Sequence, residues 1–144
     1  MPIVDVMNLR LVSVAPGATV RQAIARMLAE NVGSVAVCEG SRLVGIFTER
    51  DVLQLVGEGA SPDEIPVRDV MTTDLVTVSA DDDIVSAARL MGERRIRHLP
   101  VVEGENLLGV VGIRDVLGAL TETLWRTHDE QAHETVRGLL SRRP

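Results

Sequence analysis

Two short stretches of this chain carry residue types that could do chemistry. The first is Gly45-Ile46-Phe47-Thr48-Glu49-Arg50-Asp51, an apolar run ending in a hydroxyl with a carboxylate three residues on. If a helix starts there, its free N–H groups and the Thr48 hydroxyl can donate to a phosphate. Asp51 can hold a ribose diol by two hydrogen bonds. The same spacing also has a structural use, with Thr48 capping the helix and Asp51 reaching back to it. The second stretch is Arg94-Arg95-Ile96-Arg97-His98-Leu99-Pro100. Such cations gather at a helix C-terminus because the dipole attracts them, or they form a grip for an anion.

Other chemistries lack their residues. His98, His128, His133 and the single Cys38 do not have the spacing of a metal site. His128 and His133, five apart, do not share a helix face. No serine sits in a nucleophile elbow, and no phosphate loop of the G-x-x-x-x-G-K-[ST] kind is present. All fifteen basic residues are Arg, which excludes lysine Schiff bases and leaves any phosphate to Arg, His or backbone N–H. The triplet Asp81-Asp82-Asp83 precedes a helical pattern, where capping and the macrodipole account for it without a metal. With no general acid/base pair and no oriented nucleophile, the expectation is a protein that is not an enzyme and holds no metal.

The elements that must position these residues occur twice. Shifted by 64 residues, Asp5 to Leu53 falls on Asp69 to Leu117 without a gap, and 17 of the 49 pairs are identical, too many for unrelated segments. Asp5-Val6-Met7 meets Asp69-Val70-Met71, Gly45 meets Gly109, and Arg50-Asp51-Val52-Leu53 meets Arg114-Asp115-Val116-Leu117. A repeat of this length is a supersecondary unit. In copy one, Leu11 to Val14 is extended, and apolar residues at helical spacing predict a helix over 19–30. Val35-Ala36-Val37 and Leu43 to Phe47, joined by Gly40-Ser41, read as a hairpin, and Thr48 opens a helix through Leu55. Copy two predicts a strand at Leu75 to Val78, a helix Ile84 to Arg95, a hairpin Leu99 to Glu103 with Leu107 to Val111, and a helix Arg114 to Leu120.

Each unit thus reads β-α-β-β-α, with too few strands to cover themselves. The fold class is α/β (α+β), two such units packed pseudo-twofold through their sheets, plus a C-terminal amphipathic helix. The boundaries are 1–57 for the first domain, 58–66 for a Gly/Pro-rich linker, 67–120 for the second domain and 121–144 for the tail. In the tail Leu117, Leu120, Leu124, Ala132, Val136, Leu139 and Leu140 recur at three- and four-residue steps. It can pack on its own unit or, with Trp125, form a dimer contact.

At 144 residues and 45 % hydrophobic, the chain can bury one substantial core. The formal net charge of −6 argues against nucleic acid, whose binding needs phosphate neutralisation. No apolar run approaches the roughly 18 residues of a membrane span, and the N-terminus lacks a signal-peptide layout. One cysteine means no internal disulfide and points to a cytoplasmic location, with Cys38 a buried structural thiol.

Taken together, Asp-Val-Met, Leu-Val-Thr-Val, Arg-His-Leu-Pro-Val-Val and Gly-Ile-Phe-Thr-Glu-Arg-Asp, in order and duplicated, resemble a tandem of CBS (cystathionine-β-synthase) domains, the Bateman module. The resemblance covers about residues 3 to 120. It implies a regulatory module that binds an adenosyl ligand and dimerises into a disc of four domains, acting on an effector protein not named by the sequence. It further implies two clefts. Cleft A would join Thr48, Arg50 and Asp51 to Val76, Thr77, Val78, Arg97, His98 and Pro100, with Asp51 on the ribose, Thr48 and Arg97/His98 on phosphate, and Val76 to Val78 along the adenine. Glu49 beside it would limit the number of phosphates. Cleft B would join Gly112, Arg114 and Asp115 to Ser13, Ser34 and Ala36, and would bind phosphate less well because Gly112 replaces the hydroxyl. The ligand expected is AMP, ADP or ATP, ahead of S-adenosylmethionine or NAD, with no required cofactor. The alternative is a dimeric scaffold whose clefts are vestigial.

Overall fold

The computed structural model describes residues 1–127 and 130–141, by backbone alone at 127 and 130–133. The chain divides into two compact units. One gathers Arg10–Leu75 with Gly104–Leu107, and the other Met1–Leu9, Val76–Glu103 and Leu108 onward. They are called the first and second units, after the copy on which each is built.

In the first unit, α1 (Val20–Glu30) starts where Thr19 and Gln22 cap each other, at 3.1 and 2.9 Å. This reciprocal pairing satisfies two N–H groups that a helix start leaves open. The helix stops at Asn31, which takes the left-handed conformation. Strand β1 (Ser13–Val14) runs parallel to β2 (Ser34–Glu39), and β2 runs antiparallel to β3 (Arg42–Thr48). Gly40, at φ +61°, makes the hairpin turn. Helix α2 (Glu49–Gly57) follows without a break. Val20, Ala23 and Met27 from one face of α1 meet Val35, Val37, Phe47 and Val67 in the core.

The second unit repeats the plan with α3 (Ile84–Arg94), β4 (His98–Glu103), β5 (Asn106–Gly112) and α4 (Ile113–Thr127). Asp83 caps α3, accepting from the Val85 N–H at 3.0 Å. The core includes Ile3, Val78, Ile84, Met91, Leu99, Val101, Val111 and Leu120.

The expected strand Leu75 to Val78 shrinks to one bridge, Val78 with Val101. The repeat explains why. In copy one the Ala36 N–H donates to the Val12 carbonyl at 3.1 Å. The residue matching Ala36 is Pro100, which has no N–H, so this rung of the ladder cannot form.

The tail also differs from the single amphipathic helix expected. Helix α4 runs on to Thr127, and a separate α5 (Glu130–Ser141) returns, with Val136 and Leu139 packed against the second unit's core. Leu120 is buried, whereas Trp125 is 79 % exposed and Leu140 is also exposed. The apolar stripe is therefore shared by two helices that cover one core. His128 lies outside the described residues, as do the side chains of Ala132 and His133. No helix among the described residues is long and apolar enough to cross a membrane.

Each unit also takes in the segment that precedes the other copy. The Val20 N–H donates to the Ile65 carbonyl at 2.8 Å and the Arg21 N–H to the Pro62 carbonyl at 3.0 Å, serving the open first turn of α1. In the second unit the Ile84 N–H donates to the Met1 carbonyl at 3.0 Å. Val67 and Ile3, opening the two short 3-10 turns Val67–Asp69 and Ile3–Asp5, are both fully buried. The glycine shared by the strands makes room for this. Met71 lies where a side chain on Gly45 would start, and a Cβ on Gly109 would stand 2.6 Å from the Asn8 carbonyl oxygen.

Candidate functional site

In the first unit the site residues converge where β3 runs into α2. Thr48 has an extended backbone and is the last residue of β3, so the chain turns into helix immediately after it. Asp51 Oδ2 accepts from the Thr48 N–H at 2.9 Å and from its hydroxyl at 3.2 Å. The capping role is therefore real, and it also fixes the carboxylate at the head of the helix. In the sheet register Ser34 lies opposite Thr48, and Ser13 opposite Ala36. Ser34 is the one buried polar residue among those described. Arg50 is exposed on the first turn of α2.

In the second unit the matching point is the passage from β5 to α4. A Cβ on Gly112 would stand 3.5 Å from Asp115 Oδ2, 3.8 Å from His98 Cδ2 and 4.0 Å from the Arg97 carbonyl oxygen. Gly112, Asp115, His98 and the Arg97 backbone therefore meet at one place. Arg97 is exposed and His98 half-buried. Arg114 and Asp115 also line a shallow, open depression with Met1, Asp5, Val6, Gly118, Ala119 and Glu122. Val78 is buried beside Pro100 and accepts from the Val102 N–H at 2.9 Å, Val76 is half-buried, and Thr77 is exposed.

The grouping inside each unit follows the copies. Thr48 and Asp51 have Ser34, Ala36 and Ser13 on their own sheet, and Gly112 has Asp115, His98 and the Arg97 backbone beside it.

Glu49 has a larger part than its sequence position suggested. Its carboxylate packs over Gly33, with Oε1 3.1 Å and Cδ 3.2 Å from where a Cβ would be. The signal was present in the repeat, since Gly33 matches Arg97 and Glu49 matches Ile113. Among the described residues no group of three or more His, Cys, Asp or Glu is arranged to hold a metal ion.

A family model described as the CBS domain matches the chain twice, over residues 3–58 and 67–122. The chain belongs to the CBS-domain family. It is 33 % identical over 112 residues to the CBS domain-containing protein YhcV of Bacillus subtilis, covering 78 % of this chain and 80 % of that one. The chain spans 32 %, 54 % and 52 % of three longer relatives. Among solved structures, an uncharacterised conserved protein from Pyrococcus horikoshii matches with a TM-score of 0.76 and 31 % identity, over 82 % of this chain and 90 % of the other. The CBS domain protein PAE2072 from Pyrobaculum aerophilum, complexed with AMP, matches with a TM-score of 0.75 and 28 % identity, over 80 % of this chain and 89 % of that one.

Proposed function

We propose that this chain is a non-catalytic sensor module that binds an adenosyl nucleotide of the AMP, ADP or ATP kind and passes its state to an effector protein as a homodimer in the cytoplasm. The observation that carries the reading is the carboxylate at the head of a helix in each unit. Asp51 is held there by Thr48 and lies on the same sheet junction as the buried Ser34. Asp115 occupies the matching position beside Gly112 and His98. A carboxylate at this point can take both hydroxyls of a ribose. The AMP bound by the Pyrobaculum relative supports the same ligand class.

Calorimetry with AMP, ADP, ATP, S-adenosylmethionine and adenosine tests the reading. At least one should bind in the micromolar range, and the double variant Asp51→Asn/Asp115→Asn should bind none. Absence of heat with all five, or full binding in the double variant, refutes it.

A scaffold role with vestigial clefts is favoured by one observation, the exposed apolar side chains Leu53 and Val56 of α2 and Trp125 of α4, each at least 70 % accessible. Under that reading Trp125→Ala abolishes partner capture while leaving adenosyl binding absent in both proteins.

A further inference from the structure

The duplication allows the outer helical faces of the two units to be compared position by position. In the second unit α5 packs on both α3 and α4, with Val136 and Leu139 against the core. There Leu120 is 2 % exposed, and Leu117 and Gly92 are half-buried. The first unit has no such cover. At the matching positions, 64 residues earlier, stand Val56, Leu53 and Leu28, each at least 70 % exposed. No residue of α2 is fully buried. Ala25 and Ala29 share the exposed face of α1 with Leu28, and their small side chains let another helix come close.

Aliphatic side chains gathered bare on one face mark an interaction site, and the charges of the two helices say for what. Helix α1 carries two cations, Arg21 and Arg26, against one anion, Glu30. Helix α2 with its C-cap carries three anions, Glu49, Asp51 and Glu58, against one cation, Arg50. A two-fold axis that lays α1 of one copy on α2 of the other therefore joins opposite charges twice, with the apolar residues between them. A foreign helix of a single sign would meet like charge on one of the two.

We propose that this α1/α2 face is where a second copy of the chain docks, and that α5 stands in for that copy on the second unit. The proposal rests on the homodimer reading above and deepens it. Each chain then offers one self-complementary patch, so association closes at a dimer. A disc of four domains, in which both units meet the second copy, is not the assembly expected while α5 is seated.

Analytical ultracentrifugation of the full chain over a dilution series, with hydrogen exchange measured in the dilute and concentrated states, tests this. The wild type should pass from monomer to dimer. New protection should appear in peptides over 20–30 and 49–57, and none over 84–94, 113–127 or 130–141. Leu53→Glu/Val56→Glu should weaken the dimer at least about thirtyfold. Because both side chains are exposed, that variant should melt as the wild type does. A dimer of wild-type affinity in the variant, or new protection confined to α3, α4 and α5, overturns the proposal and leaves the homodimer reading standing. A wild type that stays monomeric at every concentration removes both, and leaves the face to a different protein.

Discussion

Gly45 and Gly109 are the same residue of the repeat, yet replacing each by alanine should have unequal effects. At Gly109 the new methyl would stand 2.6 Å from the Asn8 carbonyl oxygen, about 0.7 Å inside the roughly 3.3 Å at which carbon and oxygen ordinarily meet. The obstacle is backbone, and it is tied. Asn8 and Val110 exchange two hydrogen bonds, 2.8 Å from the Asn8 N–H and 3.2 Å from the Val110 N–H. Relieving the clash moves the N-terminal segment off β5 and strains both bonds, each contributing about 0.5–1.5 kcal/mol. Against this stands a gain of about 0.4–1 kcal/mol from a less flexible unfolded chain. The net for Gly109→Ala is a loss of about 1–2 kcal/mol, or roughly 2–8 °C in Tm at this chain length. At Gly45 the obstacle is the thioether of Met71, a flexible side chain that can rotate away, so Gly45→Ala should cost less than half as much. Gly118, inside α4 with nothing within 4 Å of its Cβ position, is the control, and alanine there should stabilise by about 0.5–1 kcal/mol. Urea denaturation and thermal melts of the three variants measure this order. Gly109→Ala as stable as wild type, or no less stable than Gly45→Ala, refutes the steric argument.

Four further outcomes are expected. Leu139→Ala, which uncovers the second unit's core where α5 packs, should destabilise by about 1–3 kcal/mol in urea denaturation, less than a fully buried leucine because it is half-exposed. Cys38 is buried, and burial pushes its thiol pKa up, so a thiol reagent at neutral pH should modify it far more slowly in the native protein than in urea. Because the folded thiol resists ionising, its contribution to stability is complete below the ordinary thiol pKa and declines above it. Cys38→Val should flatten that alkaline decline in a pH series of melts. Trp125 is the only tryptophan and is 79 % exposed, so its fluorescence should be readily quenched in dilute protein and shift to the blue on dimerisation through α4. An unchanged spectrum across the dimerisation transition excludes that face.

Most of the elements were legible in the sequence, for local reasons. Thr19 with Gln22, and Thr48 with Asp51, announce helix starts because capping is decided within four residues. Gly40-Ser41 marks a hairpin because only a few residue types turn the chain there. The duplication itself disclosed the family, since two copies in one register show which positions recur. The tail was harder. A stripe of Leu and Val at mixed spacing does not say whether one helix or two presents it, and packing against the second unit's core decided in favour of α4 followed by α5. Pro100 reads from the sequence as a site residue, while its effect on pairing at Val76 needs the sheet register, since a missing N–H matters only opposite a carbonyl.

By itself the sequence determined the repeat, its helices and hairpins, the tandem CBS identity, and the residue types at the head of each unit's helix, because these depend on neighbours along the chain and on comparison of one copy with the other. Only the tertiary structure decided which segments fold together. Met1–Leu9 belongs with copy two and the stretch up to Leu75 with copy one, and the room at Gly45 and Gly109, shared by the two copies, is taken up by these incoming segments. It also placed the Glu49 carboxylate over Gly33, and His98 and the Arg97 backbone beside Gly112. The reason is physical. Charge and hydrogen bonding act over a few ångströms of space, and residues 15 or 16 apart in sequence become neighbours only once a hairpin has closed between them.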